Sequence, residues 1–199
     1  MQDMVERGVQ YTSRGITMNL FEILASLEED YEMHIARLLI LLSVFAGKKG
    51  NKTINGLTKL VKLDFLLRYP VYLERALQVI RASPKAAKVQ DHERKSVESS
   101  MIRYRYGPWD PRYRRFINLL VGKGLAQVSS KKRTIKIGLT MAGLNKASIL
   151  CKDDNFQDLM HRAHLLRANF DMGATRLKEF IYETFPEIVS LRLGEEIKP

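Results

Sequence analysis

Cysteine is almost absent. Cys151 is the single one in 199 residues, which excludes an internal disulfide and a cysteine-rich zinc site and suits a reducing compartment. Long apolar runs are lacking too. The longest, Ile35 to Ala46, is interrupted by Arg37 and stops at Gly47, short of the roughly 20 residues that cross a bilayer. The opening stretch carries Asp3 and Glu6 with no apolar run before a cleavage site, so no secretory signal is read and a cytoplasmic protein is expected.

Signatures of catalysis are missing as well. The sequence holds no phosphate-cradling GxxxxGK[ST] loop, no GxGxxG after a strand and no GxSxG elbow. His161 and His164 share one face of a helix at i,i+3 spacing, but no neighbouring Cys or Glu completes a metal site. Asp153 and Asp154 are adjacent, so on a helix they face different ways and read as a helix start, not as paired catalytic carboxylates. No enzyme, cofactor or metal is expected.

What is present is a foldable, basic chain. Hydrophobic residues make up 45% and charged residues 28%, ordinary values for a globular protein. The net charge is +11 and it is concentrated: Arg81 to Lys136 holds 15 Lys/Arg against 4 Asp/Glu, while the other residues balance at 18 against 18. A clustered positive field suits a polyanion or an acidic protein surface as partner. A solvated basic face without a ligand is the alternative.

Periodicity organises the rest. Residues 1–30 read as an N-terminal arm. Ile35, Leu38, Leu39 and Leu42 mark a buried face of a helix from Tyr31 to Ala46. Leu57 to Leu67 gives a second helix, with Lys59, Lys62 and Arg68 expected to point outward and Pro70 at its end. Val71 to Ala82 gives a third. Residues 83–97 lose the pattern and predict a mobile surface insertion. Met101 to Tyr106 alternates as an extended segment before the Gly107-Pro108-Trp109-Asp110-Pro111 turn. Tyr104, Tyr106, Trp109 and Tyr113 interleave with arginines there, a pattern that suits a core corner better than base stacking. Asp110-Pro111 then caps a helix to about Lys123. Leu125 to Leu139 alternates as a β-hairpin with the tip Lys131-Lys132-Arg133. Thr140 starts a short helix, Asp153-Asp154 another, and Ala174 to Thr184 the last, stopped by Pro186.

Helices followed by a basic-tipped hairpin predict a mainly α chain with a small β-hairpin. Its core is a winged helix-turn-helix over residues 31–152, followed by a C-terminal helical extension over 153–199. Arg112, Arg114 and Arg115 on the helix before the hairpin, with Lys131, Lys132 and Arg133 at its tip, are the candidate contacts to nucleic acid or an acidic partner. Phe21, Ile23, Leu24, Phe180 and Phe185 exceed a minimal winged helix and are candidate partner-interface residues.

Two segments carry a resemblance: KLVKLDFLLRYPVYLERAL (Lys59 to Leu77) and ESSMIRYRYGPWDPRYRRFINLLVGKGLAQV (Glu98 to Val128). With the tail GATRLKEFIYETFPEI they resemble, from about Tyr31 to Pro186, the middle component of bacterial ABC-type three-component systems, a group similar to the LmuC subunit of Lamassu anti-phage defence. Membership would imply a non-catalytic subunit between an SMC-like, Rad50-related ABC ATPase and an effector, such as a nuclease, in a complex that senses foreign double-stranded DNA and restrains the effector. It would make Leu63 to Pro70 fold-defining. A free-standing winged-helix transcription regulator is the competing expectation.

Overall fold

The structure, a computed structural model, describes residues 12–13, 16–17, 20–97, 99–131 and 134–199, with side chains from Tyr31 onward except that of Lys131. The chain is mainly helical with small antiparallel sheets. In chain order it runs β1 (Thr12–Ser13), β2 (Ile16–Thr17), α1 (Leu20–Ala46), β3 (Ile54–Asn55), α2 (Leu57–Arg68), α3 (Pro70–Val79), β4 (Met101–Tyr104) and β5 (Gly107–Trp109). It continues with α4 (Tyr113–Gly122), β6 (Ala126–Lys131), β7 (Thr134–Leu139), α5 (Met141–Leu150), α6 (Gln157–Phe170), α7 (Ala174–Thr184), α8 (Pro186–Ser190) and β8 (Glu196–Ile197). No helix among the described residues is long and apolar enough to cross a membrane.

Local chemistry accounts for many of the boundaries. Pro70 opens α3 directly after α2, the two meeting at Tyr69, which is the C-cap of one and the N-cap of the other. The Thr140 hydroxyl accepts the Gly143 N–H at 3.1 Å and caps α5. Gly143 is required for a second reason: a Cβ there would lie 1.9 Å from the Leu125 carbonyl oxygen, so only glycine lets α5 approach the base of the β6–β7 hairpin. Helix α1 starts earlier than the arm expected over 1–30. Leu20, Ile23, Leu24 and Leu27 continue the helical spacing backward among good helix formers.

Helix α2 lies at the centre. Every residue from Leu60 to Arg68 is buried, and α2 packs against α6, α7, β3 and β5. The outward placement expected for Lys62 and Arg68 is therefore overturned, because α2 has neighbours all round and no solvent side over this stretch. Its charges are answered internally instead. Asp64 accepts Arg37 Nε at 2.8 Å from α1 and Arg68 Nη2 at 2.8 Å from its own helix. The Tyr113 hydroxyl of α4 donates to the same carboxylate. Arg68 reaches on to Asp110 at 2.8 Å and to the Ser99 carbonyl at 3.3 Å. Burial alone would push the Asp64 carboxyl up, but the Arg37 and Arg68 guanidinium groups hold it well below the usual carboxylate range.

Two sheets lock this helix in place. In one, β3 lies beside β7, and β7 beside β6, all antiparallel. In the other, β4 is flanked by β5 and β8. The Tyr69 hydroxyl ties this second sheet to the α2–α3 elbow by accepting the Met101 N–H of β4 at 2.7 Å and donating to the Ile197 carbonyl of β8 at 2.9 Å. The segment 83–97, expected to be mobile, is fastened down. Arg162 of α6 holds the Ala87 and Lys88 carbonyls and both Glu93 oxygens at 2.6 to 2.8 Å, and Ala87 is fully buried. Low hydrophobicity concealed that anchor.

Two outcomes follow from the buried charges. Asp64→Asn removes the buried carboxylate charge that Arg37 and Arg68 share, so stability drops by about 3–5 kcal/mol in urea unfolding. Lys62 is 1% exposed and donates to the Pro108 carbonyl at 2.7 Å; burial, aided by the nearby Arg103 charge, lowers its pKa from 10.5 to about 7. The unfolded chain thus holds this proton up to 10.5 and the folded chain only to about 7, so this group makes stability rise with pH across that window. Lys62→Met flattens that rise, read as urea midpoints at the two ends.

Candidate macromolecule-binding face

Helix α4 and the β6–β7 hairpin carry the last part of the basic segment, and the buried ion cluster positions α4 through Tyr113. Asp110 accepts the Arg112 backbone N–H at 2.9 Å, organising the turn that begins α4 at Tyr113, later than a cap at Asp110 itself would start it. Tyr113, Phe116, Ile117 and Leu120 are buried, which fixes α4 by one face and turns Arg114, Arg115, Asn118 and Val121 to solvent. The chain then passes through Gly124, at φ +68°, into β6.

The candidate contact residues divide. Arg114 and Arg115 are exposed, and the Arg115 guanidinium lies 4.3 Å from the centre of the Tyr31 ring. Arg112 is turned inward and works within the fold. Its Nε and Nη2 bond Asp110 at 3.1 and 3.0 Å, its Nη2 bonds Ser99 Oγ at 2.5 Å, and it stacks 5.5 Å from Phe116. A carboxylate two residues away outcompetes solvent for it. Lys132 and Arg133 lie outside the described residues, as does the side chain of Lys131. Lys123 is exposed and Lys136 half-buried on the same helix–hairpin unit. On the hairpin, Val128 and Ile135 are 44% and 45% exposed, so the unit's surface is mixed apolar and basic.

Other expected sites resolve similarly. Phe185 is not available to a partner: it is fully buried, 4.9 Å from the Tyr72 ring and under the Arg75 guanidinium, where the break before Pro186 turns it in over the α2–α3 elbow. Phe180 is half-buried against Phe170 at 5.4 Å. The side chains of Phe21, Ile23 and Leu24 lie outside the described residues. Trp109 packs between Tyr104 and Tyr113 as a core corner, while Tyr104 and Tyr106 remain 44% and 59% exposed. His161 bonds the Ala86 carbonyl at 2.8 Å, and among the described residues no group of three His, Cys, Asp or Glu could hold a metal.

The residues that position the face were missed by periodicity. Their signal was a charged pair, Asp64 and Arg68, spaced i,i+4 inside an otherwise apolar run. The two segments Lys59 to Leu77 and Glu98 to Val128 meet through this cluster: Arg68 with Asp110, Tyr113 with Asp64, Lys62 with Pro108 and Tyr69 with Met101. Together they define a mainly helical scaffold that presents a basic helix and hairpin. Comparison of the chain with protein-family models, curated proteins and solved structures finds no match.

Because Arg112 is spent internally and Arg114 is not, their substitutions separate. Arg112→Ala lowers thermal stability and leaves the surface charge of the face nearly intact, whereas Arg114→Ala leaves unfolding within about 0.5 kcal/mol of the parent. Urea unfolding of both variants checks this.

Proposed function

We propose that the chain is a non-catalytic, cytoplasmic winged-helix adaptor subunit of an SMC-like, Rad50-related ABC ATPase complex of anti-phage defence, standing between the ATPase and an effector. Such a complex senses foreign DNA and controls the effector. The observation that carries the winged-helix part is topological. A first helix, a short strand and a second helix precede α4, α4 runs directly into the hairpin, and the short strand adds to the hairpin's second strand in the order β3–β7–β6. That is the order a winged helix requires, with α4 as the recognition-type helix and α3 with the β4–β5 hairpin inserted before it.

The adaptor part rests on the resemblance of the two long segments, and the fold supports the role that resemblance gives them. Asp64, Arg68, Asp110 and Tyr113 are buried and mutually bonded, which is how fold-defining residues behave. Arg114, Arg115 and the hairpin tip supply the charge for duplex DNA or an acidic partner surface.

The test is co-purification of the tagged chain with the products of neighbouring genes. A stable complex with a long coiled-coil ATPase is the expected result; a homodimer that binds a specific DNA sequence alone would instead make the chain a free-standing regulator. In the complex, Arg114→Glu with Arg115→Glu weakens duplex binding. With Arg112 unavailable, five basic side chains at most remain, so the parent's log–log salt slope is roughly four to five.

A further inference from the structure

Strand β6 lies at the edge of the β3–β7–β6 sheet. The Ile135 carbonyl accepts the Gly56 N–H at 2.7 Å, so Ile135 turns its backbone groups toward β3 and away from β6. Bonded and non-bonded pairs alternate along an antiparallel ladder, and the β6 partners of Ile135 and Ile137 are Ser130 and Val128. These two therefore point their N–H and C=O off the sheet, while Gln127 and Ser129 bond β7. Among the described residues no hydrogen bond from outside the sheet reaches the backbone of Val128 or Ser130, and every residue from Gln127 to Ser130 is exposed. An edge so open is a template for another strand.

The side chains beside this edge specify the strand it suits. Val128 and Ile135 lie diagonally across the ladder on one face of the sheet, 44% and 45% exposed. The other face at the same level carries Gln127, and Ser129 opposite the half-buried Lys136. Charge selects further. From Pro111 to Lys152, the stretch that builds α4, the hairpin and α5, the sequence holds ten Lys/Arg and no Asp or Glu. A second copy of the chain would bring two such strands together, like charge against like. A phosphate backbone accepts hydrogen bonds and donates none, so it could answer the N–H groups of this edge but not its carbonyls.

We propose that β6 accepts, antiparallel, an extended acidic segment of a partner protein in which apolar and acidic residues alternate. The apolar residues continue the face of Val128 and Ile135 and exchange backbone bonds with Val128 and Ser130. The acids continue the face of Ser129 and Lys136. The proposal deepens the reading of the basic face as a partner-binding surface and rests on that reading, not on which assembly the chain joins.

Fluorescence anisotropy of the full chain with labelled peptides of about eight residues tests the proposal. An alternating Glu–Val peptide is expected to bind saturably, and all-glutamate and alternating Lys–Val peptides roughly tenfold or more weakly. Antiparallel pairing puts the valine N–H groups on β6 and the glutamate N–H groups outward, so N-methylation of the valines abolishes binding and N-methylation of the glutamates preserves it. On the protein, Val128→Pro removes an outward N–H without touching the β7 ladder; it weakens the Glu–Val peptide roughly tenfold or more and leaves duplex affinity unchanged. Equal binding of the all-glutamate peptide would mean general attraction to basic charge and overturns the proposal, as do any other methylation pattern, full binding by Val128→Pro, or no binding at all. The duplex affinity lost with Arg114→Glu and Arg115→Glu is read separately, so the basic face can stand where the strand site fails. Should circular dichroism show Val128→Pro unfolded, the methylated peptides decide.

Discussion

Asp64 is a fully buried carboxylate that three helices share. Arg37 reaches it from α1, Arg68 from its own turn of α2 and Tyr113 from α4. A buried ion pair of this kind adds little net stability over a well-packed apolar replacement, because the desolvation of each charge offsets most of the attraction. Its effect lies in position. Apolar side chains tolerate small slides against one another, whereas a carboxylate with hydrogen-bond donors on three sides, two of them charged, fixes the rotation and height of every helix that contributes one. The placement of α4, and with it the aim of the basic face, follows from that constraint.

The same constraint sorts the arginines. Net charge counts them alike, yet Arg37, Arg68, Arg112 and Arg162 are turned into the fold, on carboxylates or carbonyl oxygens. Arg114 and Arg115 alone among those on α4 face outward. Of these four only Arg112 belongs to the basic stretch from Arg81 to Lys136, so the fold draws that one arginine out of the local excess that could act on a polyanion.

Much of the architecture was readable in advance, because it depends on local chemistry. Pro70 and Pro186 break helices by ring geometry, Thr140 offers a cap, and alternation over Leu125 to Leu139 marks the hairpin; all act within a few residues. What escaped depends on long-range partners. Lys62 and Arg68 were placed outward because a helical wheel assumes a wet side, and α2 has none there. The strap 83–97 looked mobile because its anchor, Arg162, lies on α6, far along the chain. Arg112 looked available because Asp110 seemed committed to a cap, and Phe185 because the fold of the α7–α8 break over Tyr72 leaves no trace in periodicity.

The stitch made by Tyr69 has a temporal side. Its hydroxyl joins Met101 to Ile197, which lies 128 positions beyond the tyrosine itself, and β8 completes the sheet on β4. At a synthesis rate of about 5–20 residues per second, that separation is on the order of ten seconds. During this interval the elbow of α2 and α3 exists with its tyrosine unclosed and the edge of β4 unpaired. Contacts so distant in sequence also close slowly in a free chain. The interior of this protein is thus assembled from helices that can form early but are sealed by a strand that emerges long after them, so its nascent form spends a defined period as an open sheet edge that other chains, or a chaperone, can reach.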